Sequence, residues 1–337
     1  DAKQQQKPFF LYFAHGAPHF PLKAPAEVIA KYRGKYKAGW DKLRAARHAK
    51  QLEMGLVDPK WPLSARPEEV AAWDSLSPED QDRFDHMMAT YAAMLDCVDQ
   101  SVGRMVAGLK ERGMLDDTLI LFLSDNGGNA EGGPRGITQG GEIGSADSSV
   151  FLGMSWATLN NTPFRRYKHF THEGGISSPL IAHWPKGIPA ERHGKLEPQP
   201  AHLIDVMATA VDLSGATYPA TFAGHRILPM EGISLRPAFA GTPLHRVKPI
   251  FWEHEGNRAV RSGPWKAVMK LKGEWELYNI EEDRTEQHNL IGINKAVAVL
   301  LIQQWNDWAA TSFVDPWTGP ARNNWGEEPR PGKKAKK

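Results

Sequence analysis

The chain has 337 residues, of which 41% are hydrophobic and 24% are charged, and its formal net charge is +2. This length exceeds what one compact core usually holds, so we expect one large domain and a smaller one. The small net charge gives no reason to expect nucleic acid or a membrane surface as a partner, and no apolar run reaches the roughly 18 residues of a transmembrane helix. The lone cysteine excludes an internal disulfide.

The N-terminal part of the chain predicts a strand and then helices. Residues 9–14 form an apolar run stopped by Gly16 and Pro18, which indicates a short strand. Residues 26–80 are rich in charge, proline and tryptophan, with a helical stretch at 41–54; we interpret them as an insertion over one side of a site or as surface elaboration. Residues 78–112 have the apolar spacing of a long amphipathic helix, and Gly113 is suited to its C-terminal end.

An apolar run at 118–123 ends in Ser-Asp125-Asn126-Gly-Gly. The run predicts a strand buried on both faces, and the carboxyl ends of such strands carry the chemistry of open α/β sheets. Asp125 and Asn126 offer two hard oxygen ligands of the kind that Ca²⁺ or Mg²⁺ prefers. A plain turn would use the same residue types. A long glycine-rich loop is predicted from residue 127 to about 149.

The remainder first alternates strand and helix and then becomes strand-rich. A strand at 178–184 and a helix at 203–213 favour an α/β sandwich. Short runs separated by glycine-containing turns predict an antiparallel meander, at 250–254, 258–261, 265–271 and 274–279. A helix at 293–309 follows, and its predicted apolar face comprises Leu300, Leu301, Trp305 and Trp308. The basic end of the chain, 329–337, predicts a disordered tail.

Two further segments complete a resemblance. One runs from Pro8 to Pro25 and contains Ala-His15-Gly-Ala-Pro-His19; the other runs from Asn161 to Leu180 and contains Arg165-Arg166-Tyr-Lys168-His169-Phe-Thr-His172-Glu173-Gly-Gly. Together with Ser-Asp125-Asn126-Gly-Gly, and in this order, they resemble the sulfatase family, most closely its bacterial arylsulfatases. The resemblance extends from Pro8 to about Leu290.

This resemblance implies a fold and a domain organisation. We expect an alkaline-phosphatase-like α/β sandwich, in which a mixed sheet lies between helices, with a smaller C-terminal antiparallel sheet packed on a helix. A partial catalytic α/β domain is expected at residues 1–248. The antiparallel β subdomain with its terminal helix is expected at 249–315, and an extended, disordered basic tail at 316–337.

Part of the family pattern is missing from this sequence. Sulfatases are expected to have an N-terminal pair of metal-binding aspartates, a Cys-or-Ser-x-Pro-x-Arg motif whose first residue becomes formylglycine, and a following lysine–histidine pair. Asp116-Asp117 precedes a strand instead, and Cys97 has the helical spacing of a core residue. We therefore expect the chain to be the C-terminal portion of a sulfatase and to be inactive alone. The sequence does not distinguish between the periplasm and the cytoplasm as its compartment, and it does not indicate an oligomeric state.

The resemblance also assigns roles to individual residues. Asp125 and Asn126 would bind a divalent metal, for which the family implies Ca²⁺. Lys168 matches the sulfate-binding lysine, and His19 matches the active-site histidine that protonates the leaving group, since imidazole titrates near neutral pH. Arg165 and His172 are further candidates for lining the substrate pocket.

Each of these roles has an alternative. His19 would otherwise be a loop histidine packed on aromatic rings, and Lys168 would otherwise belong to a solvated basic face. For His254 two roles are considered: it would bind the organic part of the substrate, or it would form an ordinary buried hydrogen bond. For the whole chain, the implied function is hydrolysis of a small-molecule or carbohydrate sulfate ester. A phosphonate monoester hydrolase or phosphodiesterase of the same superfamily, and a non-catalytic sulfatase-like binding module, are the other functions considered.

Overall fold

A computed structural model of the chain describes residues 7–319. In these residues the α-helices are α1 (Ala26–Ala30), α2 (Gly39–Glu53), α3 (Pro78–Glu111), α4 (Gly153–Asn160), α5 (Glu173–Ile176), α6 (Ile204–Ser214), α7 (Arg236–Phe239) and α8 (Lys295–Thr311). The strands are β1 (Ile120–Leu123), β2 (Ile137–Gln139), β3 (Ser149–Phe151), β4 (Leu180–His183), β5 (Thr221–Phe222), β6 (His225–Arg226), β7 (Ile250–His254), β8 (Asn257–Ser262), β9 (Trp265–Met269) and β10 (Glu276–Asn279). No described helix combines the length and the apolar character needed to cross a membrane. The predicted disordered tail at 329–337 lies outside the described residues.

The chain divides into two compact units. The first contains Val106–Asp125 and Pro179–Ile250. The second contains Phe9–Met105, Asn126–Ser178 and the residues from Phe251 onward. The division is therefore discontinuous in sequence, whereas the predicted domains are consecutive; the boundary proposed at residue 249 stays a prediction.

In the first unit, β1 pairs with β4 in the antiparallel sense, with Phe122 opposite Ile181. The prediction that this strand is buried on both faces is wrong for the described residues, because Phe122 and Ile181 share one face and are 46% and 61% exposed. Helix α6 is anchored by the fully buried Asp205, whose carboxylate accepts hydrogen bonds from the backbone N–H groups of His202 and Ile233 at 2.8 and 3.0 Å. The predicted helix at 203–213 is thus confirmed.

The second unit is built around α2, α3 and α4. Trp40, Trp73 and Trp156 are all buried, and the ring of Trp40 meets the other two nearly edge-on at centroid distances of 4.8 and 5.3 Å. The indole N–H of Trp156 donates to the carbonyl of Phe84, at 3.0 Å. Aromatic burial of this kind satisfies both the apolar ring and its single polar atom. These tryptophans are therefore core residues.

Helix α3 agrees closely with its prediction from apolar spacing. It ends at Glu111, and Gly113 follows with a positive φ of 64°. The N–H of Gly113 donates to the carbonyl of Lys110 at 2.9 Å, which closes the last turn. Glycine adopts this left-handed conformation without the penalty that a Cβ would impose.

The C-terminal meander is confirmed as a four-stranded sheet in the order β10-β9-β8-β7. Helix α8 packs on this sheet through Leu301 and Trp305, which are 2% and 3% exposed. Leu300 was predicted on the same apolar face, but it is 59% exposed. The prediction is wrong for Leu300 because consecutive helical residues point about 100° apart, so Leu301 occupies the inward position.

Two predictions about loops and strands are also wrong. Residues 9–14 form no strand, and Phe10 and Tyr12 are 79% and 82% exposed. Among the described residues no strand pairs with this run, and a strand conformation is stable only when its backbone groups are paired.

The predicted loop at 127–149 contains β2, which pairs with β3, with Ile137 opposite Phe151.

Candidate active site

The second unit brings together two of the predicted site residues from distant parts of the chain. The ammonium Nζ of Lys168 lies 3.1 Å from Nε2 of His19. On the other side of the ring, Nδ1 lies 2.9 Å from the carbonyl oxygen of Phe20. A carbonyl only accepts and an ammonium only donates, so Nδ1 carries the proton and Nε2 accepts from Lys168. The imidazole of His19 is therefore held in one tautomer beside a cation.

Glu131, which the sequence did not single out, pairs with the same lysine. One carboxylate oxygen, Oε1, lies 3.2 Å from Nζ of Lys168 and 3.0 Å from Nε2 of His169. Burial alone would raise the pKa of Glu131, but the hydrogen bond from His169 and the charge of Lys168 outweigh burial and lower that pKa. Lys168 thus lies between an imidazole and a carboxylate. The sequence signal is weak, since Glu131 lies in a glycine-rich stretch with no periodic pattern.

The glycine pairs of the two motifs let their backbones approach closely. The N–H of Gly127 donates to the carbonyl of Gly175 at 2.9 Å, and the N–H of Lys168 donates to the carbonyl of Gly128 at 3.1 Å. A Cβ on Gly127 would overlap the carbonyl oxygen of Gly174, and a Cβ on Gly175 would overlap the carbonyl oxygen of Phe170. Only glycine fits these positions. The contact ties the residues after Asn126 to the loop that positions Lys168.

The candidate metal ligands follow β1 directly. Asp125 is exposed, and Asn126 is half-buried. The side-chain amide nitrogen of Asn126 donates to the carbonyl of Gly127 at 2.9 Å. With Nδ2 used in this contact, the side-chain oxygen Oδ1 is the atom of Asn126 suited to bind a cation. The two adjacent residues together offer oxygen donors only.

Arg165 and His172 lie in a polar cluster with Glu276. The guanidinium of Arg165 forms an ion pair with the Glu276 carboxylate and hydrogen-bonds the hydroxyl of Tyr278 at 2.8 Å. His172 is 1% exposed, and its Nε2 lies 3.3 Å from the same carboxylate. Burial lowers the pKa of His172. Burial alone would raise the pKa of Glu276, but the His172 hydrogen bond and the Arg165 charge lower it to about 2.

Glu173, the acidic residue of the Glu-Gly-Gly motif, is the centre of a second buried ionic cluster. Its carboxylate accepts from Lys266 at 2.7 Å and from Arg284 at 3.2 Å, and Lys266 also contacts Glu286 at 2.9 Å. Burial would raise the pKa of Glu173, but these two cations lower it to about 2. Sequence reasoning missed Lys266, Arg284 and Glu286, because a pairing across about a hundred residues leaves no local pattern.

Four other residues named with the sequence motifs, His15, Arg166, Cys97 and Asp117, have other surroundings. Nε2 of His15 lies 3.2 Å from the hydroxyl of Ser101. Arg166 places its guanidinium over the ring of Phe170, 4.9 Å from the centroid. Cys97 is half-buried and packs against a small apolar cluster, as its helical spacing predicts. Asp117 pairs with Lys186 at 2.9 Å, in the segment that precedes β1.

Comparison with known proteins identifies the family. The sulfatase family model matches residues 1–216, more than half of the chain. The chain belongs to the sulfatase family. The motif resemblance is thereby confirmed, and with it the alkaline-phosphatase-like fold with a small C-terminal antiparallel sheet. Sulfatases are generally metal-dependent hydrolases.

Individual relatives agree with this assignment. The chain is 32% identical to an uncharacterized sulfatase of Schizosaccharomyces pombe over 93% of its own length and 59% of that protein. It is 32% identical to an arylsulfatase of Klebsiella aerogenes over 69% of its length and 52% of the relative. The chain therefore spans little more than half the length of these curated relatives.

A solved structure supports the same architecture. The crystal structure of Ps i-CgsB superposes with a TM-score of 0.60 at 27% identity, covering 91% of this chain and 51% of that one. The same protein has also been solved in complex with k-i-k-neocarrahexaose. The agreement extends over nearly the whole of the present chain.

Proposed function

We propose that this chain carries the C-terminal part of the active site of an arylsulfatase-type sulfuric ester hydrolase. The observation that carries the proposal is the contact of Lys168 Nζ with His19 Nε2 at 3.1 Å. Sulfate ester cleavage develops negative charge on the sulfate oxygens and on the departing oxygen. A fixed cation and an adjacent imidazole are the two groups needed at those positions.

The chemistry of each group follows from its contacts. Lys168 would bind a non-bridging sulfate oxygen and the bridging oxygen of the ester, because its ammonium presents three donors. Nε2 of His19 accepts from Lys168 in this structure, so it would first take up a proton from solvent. The ring would then deliver that proton from Nε2 to the departing oxygen, since Nδ1 is held by the Phe20 carbonyl. Glu131 would keep Lys168 positioned when no substrate is bound. Arg165 and His172 stay candidates for the substrate pocket, although both contact Glu276 here.

The metal that the family implies fits the chemistry of its candidate ligands. Asp125 supplies an exposed carboxylate, and Asn126, whose amide nitrogen donates to the carbonyl of Gly127, would supply its side-chain oxygen Oδ1. Hard oxygen donors of this kind suit Ca²⁺. When bound, the metal would supply positive charge at the reacting sulfate. Two ligands make only part of a calcium shell, so others would come from residues outside this sequence.

The nucleophile is also expected from outside this sequence. The family implies a formylglycine, and no Cys-or-Ser-x-Pro-x-Arg motif is present among the 337 residues. We therefore propose that the chain acts as part of a longer protein and has no turnover by itself. Its substrate would be a small aryl sulfate or a sulfated carbohydrate. The arylsulfatase name of the Klebsiella relative supports the first, and the carbohydrate complex of Ps i-CgsB supports the second.

The test is turnover by the longer protein that contains this chain. We expect hydrolysis of an aryl sulfate to exceed that of the matching aryl phosphonate. Lys168→Ala should lower the sulfatase rate by about a hundredfold or more, the typical effect of removing one preorganised electrostatic contact. Lys186→Ala is the matched control, because Lys186 is an exposed lysine paired with Asp117.

Three results would overturn the proposal. Preferred turnover of the phosphonate would assign the protein to the phosphonate hydrolase class. A Lys168→Ala rate within about threefold of the control would remove the lysine from the reaction, since the contact is expected to contribute far more than that. Binding of sulfated ligands without any turnover by the longer protein would favour the non-catalytic binding module.

A further inference from the structure

A cluster of nitrogen and oxygen atoms next to Lys168 has a geometry that the proposed function does not use. Nδ1 of His169 lies 3.3 Å from Nε2 of His254 and 3.0 Å from Oε2 of Glu255. One ligand atom from each of these residues lies within 4.8 Å of the other two. Three potential metal ligands therefore converge at one point within the second unit.

The spacing of these atoms suits a small tetrahedral cation. Zinc binds imidazole nitrogen at about 2.0–2.1 Å, so neighbouring ligands of a tetrahedral zinc lie about 3.3–3.4 Å apart. The distances of 3.3 and 3.0 Å between the ligand atoms are near this value. Two histidines and one glutamate form a known zinc donor set that leaves a fourth position for water. Calcium, by contrast, prefers a shell made of oxygen atoms.

The surroundings hold these side chains in place. Oε1 of Glu131 accepts from Nε2 of His169 at 3.0 Å, which leaves Nδ1 of that ring directed at the cluster. Metal-binding histidines commonly have such a carboxylate partner on their second nitrogen. The side-chain amide of the fully buried Asn257 donates to the carbonyls of both His169 and His254, at 2.9 and 3.0 Å. The two histidines are thus fixed relative to each other through their backbones.

The backbone at two of the three positions is strained. Glu255 has a φ of 51° and Gly256 a φ of 81°, which together form the tight turn between β7 and β8. Such turns favour Asn, Asp or Gly at the first position, and glutamate is costly there. His169 also has a positive φ, of 78°. Strain in non-glycine residues concentrates at functional sites, where the side chain has a role that offsets the cost.

The charge of the cluster also favours a dication. Two carboxylates, Glu131 and Glu255, face the histidine rings, and the ammonium of Lys168 lies 3.2 Å from Glu131. With neutral imidazoles the group carries one net negative charge. The side chain of His254 is exposed, so a cation can enter from solvent.

We propose that His169, His254 and Glu255 form a zinc-class metal site, separate from the candidate calcium ligands at Asp125 and Asn126. The metal joins the β7–β8 turn to the loop that carries Lys168. It makes this part of the active site rigid. The proposal does not depend on sulfatase turnover, because metal binding can be measured on this chain directly.

The experiment is calorimetric titration of the chelator-treated 337-residue chain with Zn²⁺, repeated with Co²⁺ while its visible absorption is recorded. We expect one equivalent bound, with the absorption of a tetrahedral cobalt ion. His254→Ala should remove this equivalent, and Glu131→Gln should weaken it by about 10–100-fold. His288→Ala is the matched control, since His288 is a 75% exposed histidine that pairs with Asp283.

A second variant separates loss of the site from loss of the fold. Glu255→Gly removes a ligand but places glycine where the backbone has a positive φ. We expect its metal-free melting temperature to equal or exceed that of the wild type, while the zinc equivalent is lost. Zinc should raise the melting temperature of the wild type but not of this variant.

Two outcomes would overturn the proposal. One is the absence of zinc binding by the wild type. The other is a bound equivalent of Zn²⁺ that both His254→Ala and Glu255→Gly retain, because that ion would be bound adventitiously elsewhere. In either case His169 is a structural residue held between Glu131 and Glu255. Calcium dependence and sulfatase turnover of the longer protein would not change, so failure of this site is distinguishable from failure of the proposed function.

Discussion

Among single residues, His19 has contacts that bear on the proton transfer proposed for it. Its ring packs on that of Phe20 in a tilted arrangement at a centroid distance of 4.3 Å, and Phe20 stacks on Phe151 at 4.1 Å. The alternative expected from the sequence, a histidine packed on aromatic rings, is therefore part of the same geometry. Packing fixes the ring plane, and the carbonyl contact at Nδ1 fixes the tautomer. Both leave Nε2 beside Lys168.

The metal assignment leads to a prediction for Asp125. In the proposed longer protein, Asp125→Ala should weaken Ca²⁺ binding by at least about tenfold, because even an outer partner of a metal ligand contributes that much. Sulfatase turnover should then require more Ca²⁺ or disappear. Titration of a chelator-treated enzyme with Ca²⁺ measures both effects.

The matched control for this change is Asp117→Ala. Asp117 is an acidic residue of the same unit, 70% exposed and paired with Lys186. We expect the calcium dependence of the Asp117→Ala variant to equal that of the wild type. Equal calcium dependence in Asp125→Ala itself would show that this carboxylate is not a ligand.

At the scale of elements, the loop that carries Lys168 is held by backbone contacts that only glycine permits. Gly175→Ala would drive a Cβ into the carbonyl oxygen of Phe170 and disturb the bond between the N–H of Gly127 and the carbonyl of Gly175. Overpacking of this kind typically costs about 1–3 kcal/mol of folding free energy. Chemical denaturation should therefore show a lower midpoint for the variant.

Helix α3 provides the control for this substitution. A Cβ on Gly103 would have no atom within 4 Å, and this glycine lies on the exposed side of the helix. Gly103→Ala should stabilise the protein by up to about 1 kcal/mol, since alanine is the better helix former. If Gly175→Ala had the same denaturation midpoint as Gly103→Ala, the close backbone contact between Gly127 and Gly175 would be contradicted.

At the scale of the whole molecule, buried carboxylates couple stability to pH. Glu173 and Glu276 each have a pKa lowered from the ordinary 4.5 to about 2. The unfolded chain takes up these protons near pH 4.5, whereas the folded chain takes them up only near pH 2. The stability that they contribute is therefore present above about pH 4.5 and is lost as the pH falls toward 2.

Glu173→Gln isolates this effect. At neutral pH it should destabilise the protein by about 3–5 kcal/mol, because the buried Lys266 loses one of its two carboxylate partners. The difference in unfolding free energy from the wild type should narrow as the pH falls from about 4.5 to 2. Glu281→Gln, at an exposed position, should show no such narrowing. A constant difference across this range would contradict the low pKa of Glu173.

Features with local causes could be predicted from the amino-acid sequence. Apolar spacing predicted that helices α3 and α8 exist, although the predicted range 293–309 lies two residues before α8 at each end. The turns of the meander follow from glycine, and the ordered motifs around His19, Asp125 and Lys168 were enough to identify the family. Neighbouring residues carry all of this information, because helix periodicity and turn chemistry act over a few positions.

Contacts between distant residues could not be predicted and are known only from the folded chain. His172 and Glu276 are 104 positions apart, and Lys266 and Glu173 are 93 positions apart, yet each pair is in contact. The run at 9–14 has strong strand propensity but no described strand beside it, so it stays irregular. Pairing across a sheet or within a buried ionic cluster depends on partners that the chain brings together only on folding, and no local pattern records them.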